Sequence, residues 1–235
     1  MNADNGLFAV CPHDTARGID KWAMFNTRVN KRLGLGSRFH AYLDFAEFGR
    51  DLLGGRFAWA YLNPADFVKA KKKLGYAPVV RPVARFDVAR IVAREGMGEV
   101  RAGARVAAVP GYLKAVVEHT LREEGTALAA VDAKSYGEVV TMVRDGRAEF
   151  GITYNEHFDV LSATSRQGIV AIRSFDFGLS HVLAVRPDLG VSGIELGRWL
   201  LSDPEGQKAG DVIGVSGWET VDESPFESLA TILGV

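Results

Sequence analysis

Between Arg38 and Tyr76 the hydrophobic period switches back and forth within fewer than forty residues, and that alternation constrains the fold more than any other stretch. RFHAYL and RFAWAYLN carry aromatics and near-alternating apolar residues, as strands do. Between them, Phe45, Phe48, Leu52 and Leu53 recur at the three-and-four spacing of one helix face. The pair Gly54-Gly55 stops that helix, and Pro64 opens the next one, PADFVKAKKKLGY. The stretch is a β-α-β-α unit. At each strand-to-helix junction a tyrosine precedes a capping residue: Tyr42 before Asp44, and Tyr61 before Asn63. Open α/β sheets bind ligands at these carboxyl-terminal strand ends, so both junctions are candidate ligand-side positions.

The remaining chain extends the same alternation. LFAVCP (7–12) is a short buried strand delivering a loop, His13-Asp14-Thr15. Asp20 is then expected to cap a helix with Trp22, Phe25, Val29 and Leu33 on one face, closed by Gly34. Two β-rich runs, 77–83 and 87–94, follow. From Ala104 a second αβ series starts: strand RVAAVPG, helix YLKAVVEHTLREEG with Leu113, Val116, Val117 and Leu121 inside, and strand LAAVD. A helix capped by Ser135, strand EFGITYN, a short helix EHFDVLSAT and strand GIVAIRSF complete it. LSHVLAVRPDL reads as a returning strand, followed by a helix over Ile194 to Leu201. Residues 52–67 and 142–158 share one order: helix end, glycine, basic residue, apolar strand, tyrosine, asparagine, helix start. The chain therefore reads as two αβ lobes, 6–85 with 180–235 and 86–179, joined by crossings near 83–88 and 174–181. Two crossings make a hinge.

Composition excludes several classes of function. A formal net charge of −1 gives no nucleic-acid footprint, and the lysines at 69, 71, 72 and 73 read as a solvated helix face. The apolar runs are too short to span a bilayer, so any membrane association goes through a partner. MNADNGLFAV carries neither the basic nor the apolar region of a secretion signal. One cysteine, Cys11, excludes an internal disulfide and a zinc cage built of cysteines; it reads as a small buried hydrophobe, the alternative being a ligand-touching thiol that would suit a thiophilic oxyanion. Among His13, Asp14, Glu156, His157 and His181 no H-x-x-x-H or H-E-x-x-H spacing exists, so no metal or cofactor is expected. G-x-S-x-G, Walker and G-x-G-x-x-G motifs are absent.

Of the six tyrosines, Tyr42, Tyr61, Tyr112, Tyr136 and Tyr154 fall where a strand hands over to a helix, and Tyr76 does not. A tyrosine offers a flat apolar face and a hydroxyl, which suits a small polar solute. Helix starts near Asp44, Pro64, Gly111, Ser135 and Asn155 would aim backbone N–H groups at the same edge, favouring an anion. Asp14 and Glu156 beside those tyrosines would equally suit a cationic solute.

The order of a first strand ending in proline, a tyrosine before the second helix, and the run S-Y-x-x-V-V-x-x-V-x-x-G-x-A-E-F over Ser135 to Phe150 resembles the phosphate, phosphite and phosphonate solute-binding proteins of ABC transporters. That resemblance spans about residues 7 to 215. It implies an α/β periplasmic-binding-protein (flytrap) architecture, each lobe a mixed sheet flanked by helices, with the ligand cleft between lobes, no catalysis, and a permease or sensor as partner. It puts Tyr42, Tyr61 and Asn63 on one wall, and the Pro110-Gly111-Tyr112 turn with Ser135 and Tyr136 on the other. Tyr154, Glu156, His13 and Asp14 complete the candidate set. The chain departs from the family pattern at Val109-Pro110-Gly111-Tyr112, where members carry a run of small hydroxyl residues, and at Tyr136, where members often carry histidine. The alternative is an enzyme on the same two-lobed fold, with His13 or His181 as a base.

Overall fold

The computed structural model describes residues 6–235. They divide into two compact units: residues up to Arg85 with Ser180–Ala230 and Val235, and Phe86–Leu179 with Thr231–Gly234.

The first unit is built on a six-stranded mixed sheet. Strand β1 (Leu7–Val10) pairs in parallel with β2 (Arg38–His40) on one side and β3 (Phe57–Leu62) on the other. Strand β10 (Val182–Val185) runs antiparallel between β3 and β4 (Ala77–Pro82), and β11 (Trp218–Glu219) closes the far edge. Every residue of β3 is buried, as a central strand covered on both faces requires. Trp59 stacks on Phe8 at a centroid distance of 3.8 Å, and Phe25, Trp22 and Trp218 close around this pair. Helix α1 (Pro12–Leu33) buries Trp22, Phe25 and Val29, the face read from its spacing, and ends at Gly34 in the left-handed conformation (φ 64°). Its start differs from expectation. His13, Asp14 and Thr15 form the first helical turn, because Pro12 occupies the opening position where its missing N–H costs nothing. Asp20 thus lies within the helix, which is interrupted at Gly18.

Helices α2 (Phe45–Leu53) and α3 (Pro64–Leu74) start where their caps predict: Asp44 accepts from the Glu47 N–H at 2.7 Å and Asn63 from the Asp66 N–H at 3.0 Å. Phe45, assigned to the inner face of α2, is exposed, and Asp51 is buried instead. The tail adds α8 (Gly190–Ser202), α9 (Pro204–Ala209) and α10 (Ser224–Leu233).

The second unit carries a five-stranded sheet in the order β7 (Ala129–Asp132), β6 (Arg105–Ala108), β8 (Phe150–Tyr154), β5 (Ala89–Arg94), β9 (Ile169–Phe175). Three strands run parallel and β5 enters antiparallel between β8 and β9, repeating the first unit's order around β10. Helix α4 (Tyr112–Glu123) buries Leu113, Val116, Val117 and Leu121. Helix α5 (Tyr136–Arg144) is capped by Ser135, and short helices α6 (Asn155–Phe158) and α7 (Ala163–Arg166) follow β8. Gly151 on β8 lets α5 approach the sheet closely: a Cβ there would stand 2.5 Å from Val139 Cγ1 and 3.0 Å from Val143 Cγ2. Gly151→Ala is expected to destabilise the protein by about 1–3 kcal/mol through overpacking. A second change, Val139→Ala, should recover part of the loss because the two sites share one gap. Chemical denaturation checks both, and an unchanged midpoint for Gly151→Ala would refute this account of the helix–sheet contact.

Candidate functional site

In the first unit the carboxyl ends of the parallel strands β1 and β3 lie beside the entry of antiparallel β10. That edge gathers Cys11, the residues of the first turn of α1, Tyr61, Asn63 and His181. The backbone N–H of Cys11 donates to the Tyr61 carbonyl at 2.9 Å, and the N–H groups of Asp14 and Thr15 donate to the Cys11 carbonyl at 3.0 Å. The Thr15 hydroxyl donates to the Val10 carbonyl at 3.0 Å, so this turn is tied to its strand. Asp14 Oδ2 lies 3.3 Å from His181 Nε2. Ligand atoms of Cys11, Asp14 and His181 all lie within 4.8 Å of one another. His13 is half-exposed on the same turn.

Tyr61 is buried, its ring 4.7 Å from that of Trp22 and stacked at 5.4 Å on that of His181. The Asn63 amide donates to Asp66 Oδ2 at 2.6 Å and lies 3.6 Å from Cys11 Sγ. Burial pushes the Asp66 carboxyl up, opposed by the Lys69 charge, the Asn63 hydrogen bond and the His181 charge. Tyr42 requires a correction. Strand β2 ends at His40, and the Tyr42 ring turns into the core at 1% exposure, between Phe48 and Phe57. Its hydroxyl donates to buried Asp51 at 2.8 Å, and Arg50 and Arg56 also donate to that carboxylate. Tyr42 anchors α2 to the sheet and does not line a wall, because a buried carboxylate needs donors and this hydroxyl is one of them.

In the second unit the corresponding edge carries the Val109–Gly111 turn, Ser135, Tyr136, Tyr154 and the entry of β5 at Asp87. The Tyr112 hydroxyl donates to Asp87 Oδ2 at 2.5 Å, and Asp87 is 7% exposed. Tyr136 and Tyr154 pack at 4.8 Å, with the His157 ring 5.7 Å from the first and 6.4 Å from the second. Burial, and then the Asp87 charge, pushes the Tyr136 hydroxyl up to about 12, so it is a neutral donor at ordinary pH. Ser135 is exposed, and its Oγ accepts from the Glu138 N–H at 3.2 Å, while Glu138 accepts from the Lys134 N–H at 2.8 Å. Its hydroxyl therefore serves the helix. Glu156 is half-buried on α6.

Helix α4 starts differently. Gly111 at its cap supplies no side-chain acceptor, and its first turn holds no acidic residue. The opening N–H groups and the positive end of the dipole are thus left to whatever lies beyond them. Lys114, in that turn, sits 3.5 Å from Glu118 and 3.7 Å from Asp132. The edge accordingly offers two chemistries, an anion seat at α4 and an aromatic group backed by Asp87.

Asp66 and Asp87 are not legible from the sequence, whereas Cys11 is buried directly after β1, as its reading as a small hydrophobe expects. Asp66 is signalled only weakly, as an acid in the first turn of a helix, and Asp87 lies in a crossing segment without periodicity. The asparagines of the repeated pattern also part ways. Asn63 caps a helix, whereas the Asn155 side chain accepts from the Val88 N–H at 3.2 Å and donates to the Phe86 carbonyl at 3.1 Å, holding the chain as it enters β5.

A family model described as the periplasmic substrate-binding protein of a phosphonate ABC transporter matches residues 8–226. No curated protein matches the sequence significantly. Among solved structures, XAC2383 from Xanthomonas citri bound to chloride ion superposes with a TM-score of 0.75 at 13% identity, covering 97% of this chain and 96% of that one. PhnD1 from Prochlorococcus marinus in complex with methylphosphonate gives 0.73 at 9% identity, with 97% of each chain covered. The periplasmic aliphatic sulphonate binding protein SsuA from Escherichia coli gives 0.63 at 12% identity, over 99% of this chain and 86% of that one. The α/β architecture, two mixed sheets flanked by helices, is that of the periplasmic binding proteins.

Proposed function

The chain belongs to the phosphonate-type periplasmic substrate-binding proteins of ABC transporters, and from that membership we propose that it captures a small oxyanion outside the cytoplasm and delivers it to a membrane permease. It does so by binding and release, without a chemical step. The observation that carries the oxyanion reading is the opening of α4, whose unguarded amides offer an anion hydrogen bonds that need no hydroxyl run. The neutral hydroxyl of Tyr136 at the neighbouring helix start adds a donor beside it. That such a ligand is a phosphonate or a sulphonate fits the compounds bound by PhnD1 and named for SsuA.

A second reading rests on Tyr136, Tyr154 and His157 backed by buried Asp87, a grouping suited to a small cation. Thermal melting with methylphosphonate, phosphate, an aliphatic sulphonate and a quaternary amine separates the two. At a hundredfold excess over Kd the true ligand adds about 2.7 kcal/mol of stability. A shift with the anions alone supports the first reading, a shift with the amine alone supports the second, and no shift with any of them defeats both.

A further inference from the structure

We infer that Cys11, Asp14 and His181 form a binding site for a divalent, borderline-soft metal ion of the zinc type, open on one side. The three residues supply a thiol, a carboxylate and an imidazole, the donor set such ions prefer. Their ligand atoms lie within 4.8 Å of one another, and the 3.3 Å between Asp14 Oδ2 and His181 Nε2 is already a ligand-to-ligand edge. A tetrahedron with bonds of about 2.0–2.3 Å separates its ligand atoms by roughly 3.3–3.8 Å, so side-chain rotation alone closes the remaining gap.

The scaffold is rigid where a metal site requires it. Cys11 and Asp14 share one helical turn that is hydrogen-bonded to β1 and to the Tyr61 carbonyl, and the His181 ring is stacked on Tyr61. Asp14 Oδ2 is buried and accepts no hydrogen bond among the described residues, so its charge faces the histidine and the thiol directly. The Asn63 amide, 3.6 Å from Cys11 Sγ, is placed to steady the sulfur as an outer partner. Binding would displace the thiol proton to solvent and leave one coordination position for water or for an oxygen of a bound solute. The site does not depend on which solute the protein transports.

Zinc alone is the probe. After dialysis against a chelator, titration with Zn²⁺ in competition with a chromophoric chelator should give one ion per chain. Cys11→Ser, Asp14→Asn and His181→Gln should each weaken binding more than tenfold while circular dichroism stays that of the parent. Cobalt loading should produce thiolate-to-cobalt absorption in the parent that is lost in Cys11→Ser. Substoichiometric binding, unchanged affinity in Asp14→Asn and His181→Gln, or a thiolate band that survives Cys11→Ser would each overturn the site.

Discussion

Gly111→Asp should abolish oxyanion binding while leaving the fold intact. Gly111 caps α4 in an extended conformation (φ 160°, ψ −175°), and nothing lies within 4 Å of where a Cβ would stand. An aspartate fits there and accepts from the opening N–H groups of the helix, which is what the best natural caps do. The folded protein should gain a few tenths of a kcal/mol relative to glycine. Those amides are the groups assigned to the ligand, and the new carboxylate adds a like charge beside it. Two hydrogen bonds to a charged oxygen are worth about 1.5–3 kcal/mol each, so their loss weakens binding by a hundredfold or more. Calorimetric titration of the parent's best anionic ligand reads this directly. Gly111→Ser, which caps without adding charge, should lose less. Retained affinity in the aspartate variant would remove α4 from the site, and tighter binding of a quaternary amine would favour the cationic reading.

The second large effect is alkaline. Tyr42, Tyr76 and Tyr136 each have a hydroxyl pushed up to about 12, in every case chiefly by burial. Asp51 adds to the shift at Tyr42 through its hydrogen bond and charge, and Asp87 adds at Tyr136 through its charge. Tyr76 donates to the Phe57 carbonyl at 2.5 Å. A raised folded-state pKa stabilises the neutral form in the native protein. The contribution is therefore complete below about pH 10, where unfolded tyrosines also keep their protons, and is lost as pH rises from about 10 through 12. For each proton the unfolded chain has released and the folded chain retains, stability falls by about 1.4 kcal/mol per pH unit. Unfolding midpoints should thus fall steeply between pH 10 and 11.5, and Tyr42→Phe should flatten that slope by one proton. Tyrosinate absorbance that reports all tyrosines ionising near 10 in the folded protein would contradict this.

The order of strands and helices was legible because it rests on local signals. Asp44, Asn63 and Ser135 cap helices where their residue types call for caps, and the buried faces of α1 and α4 follow their spacing. The exceptions are also local. Pro12 starts α1 eight residues before Asp20, and β2 stops short of Tyr42, because a proline at a helix start and a buried acid one helix away each outweigh the apparent pattern.

The sequence by itself determined the α/β alternation and the helix boundaries that carry it, since periodicity and capping act between residues a few positions apart. Only the tertiary structure decided which side chains are spent on the fold and which meet at the ligand edge. Tyr42 and Tyr61 stand in equivalent places beside their strands, yet Tyr42 answers to Asp51, nine residues on, while Tyr61 meets His181 across the sheet. Cys11, Asp14 and His181 come together because β10 inserts antiparallel beside β3 and returns a distant residue to the end of β1. Such convergence is a property of strand order, which side-chain periodicity does not encode.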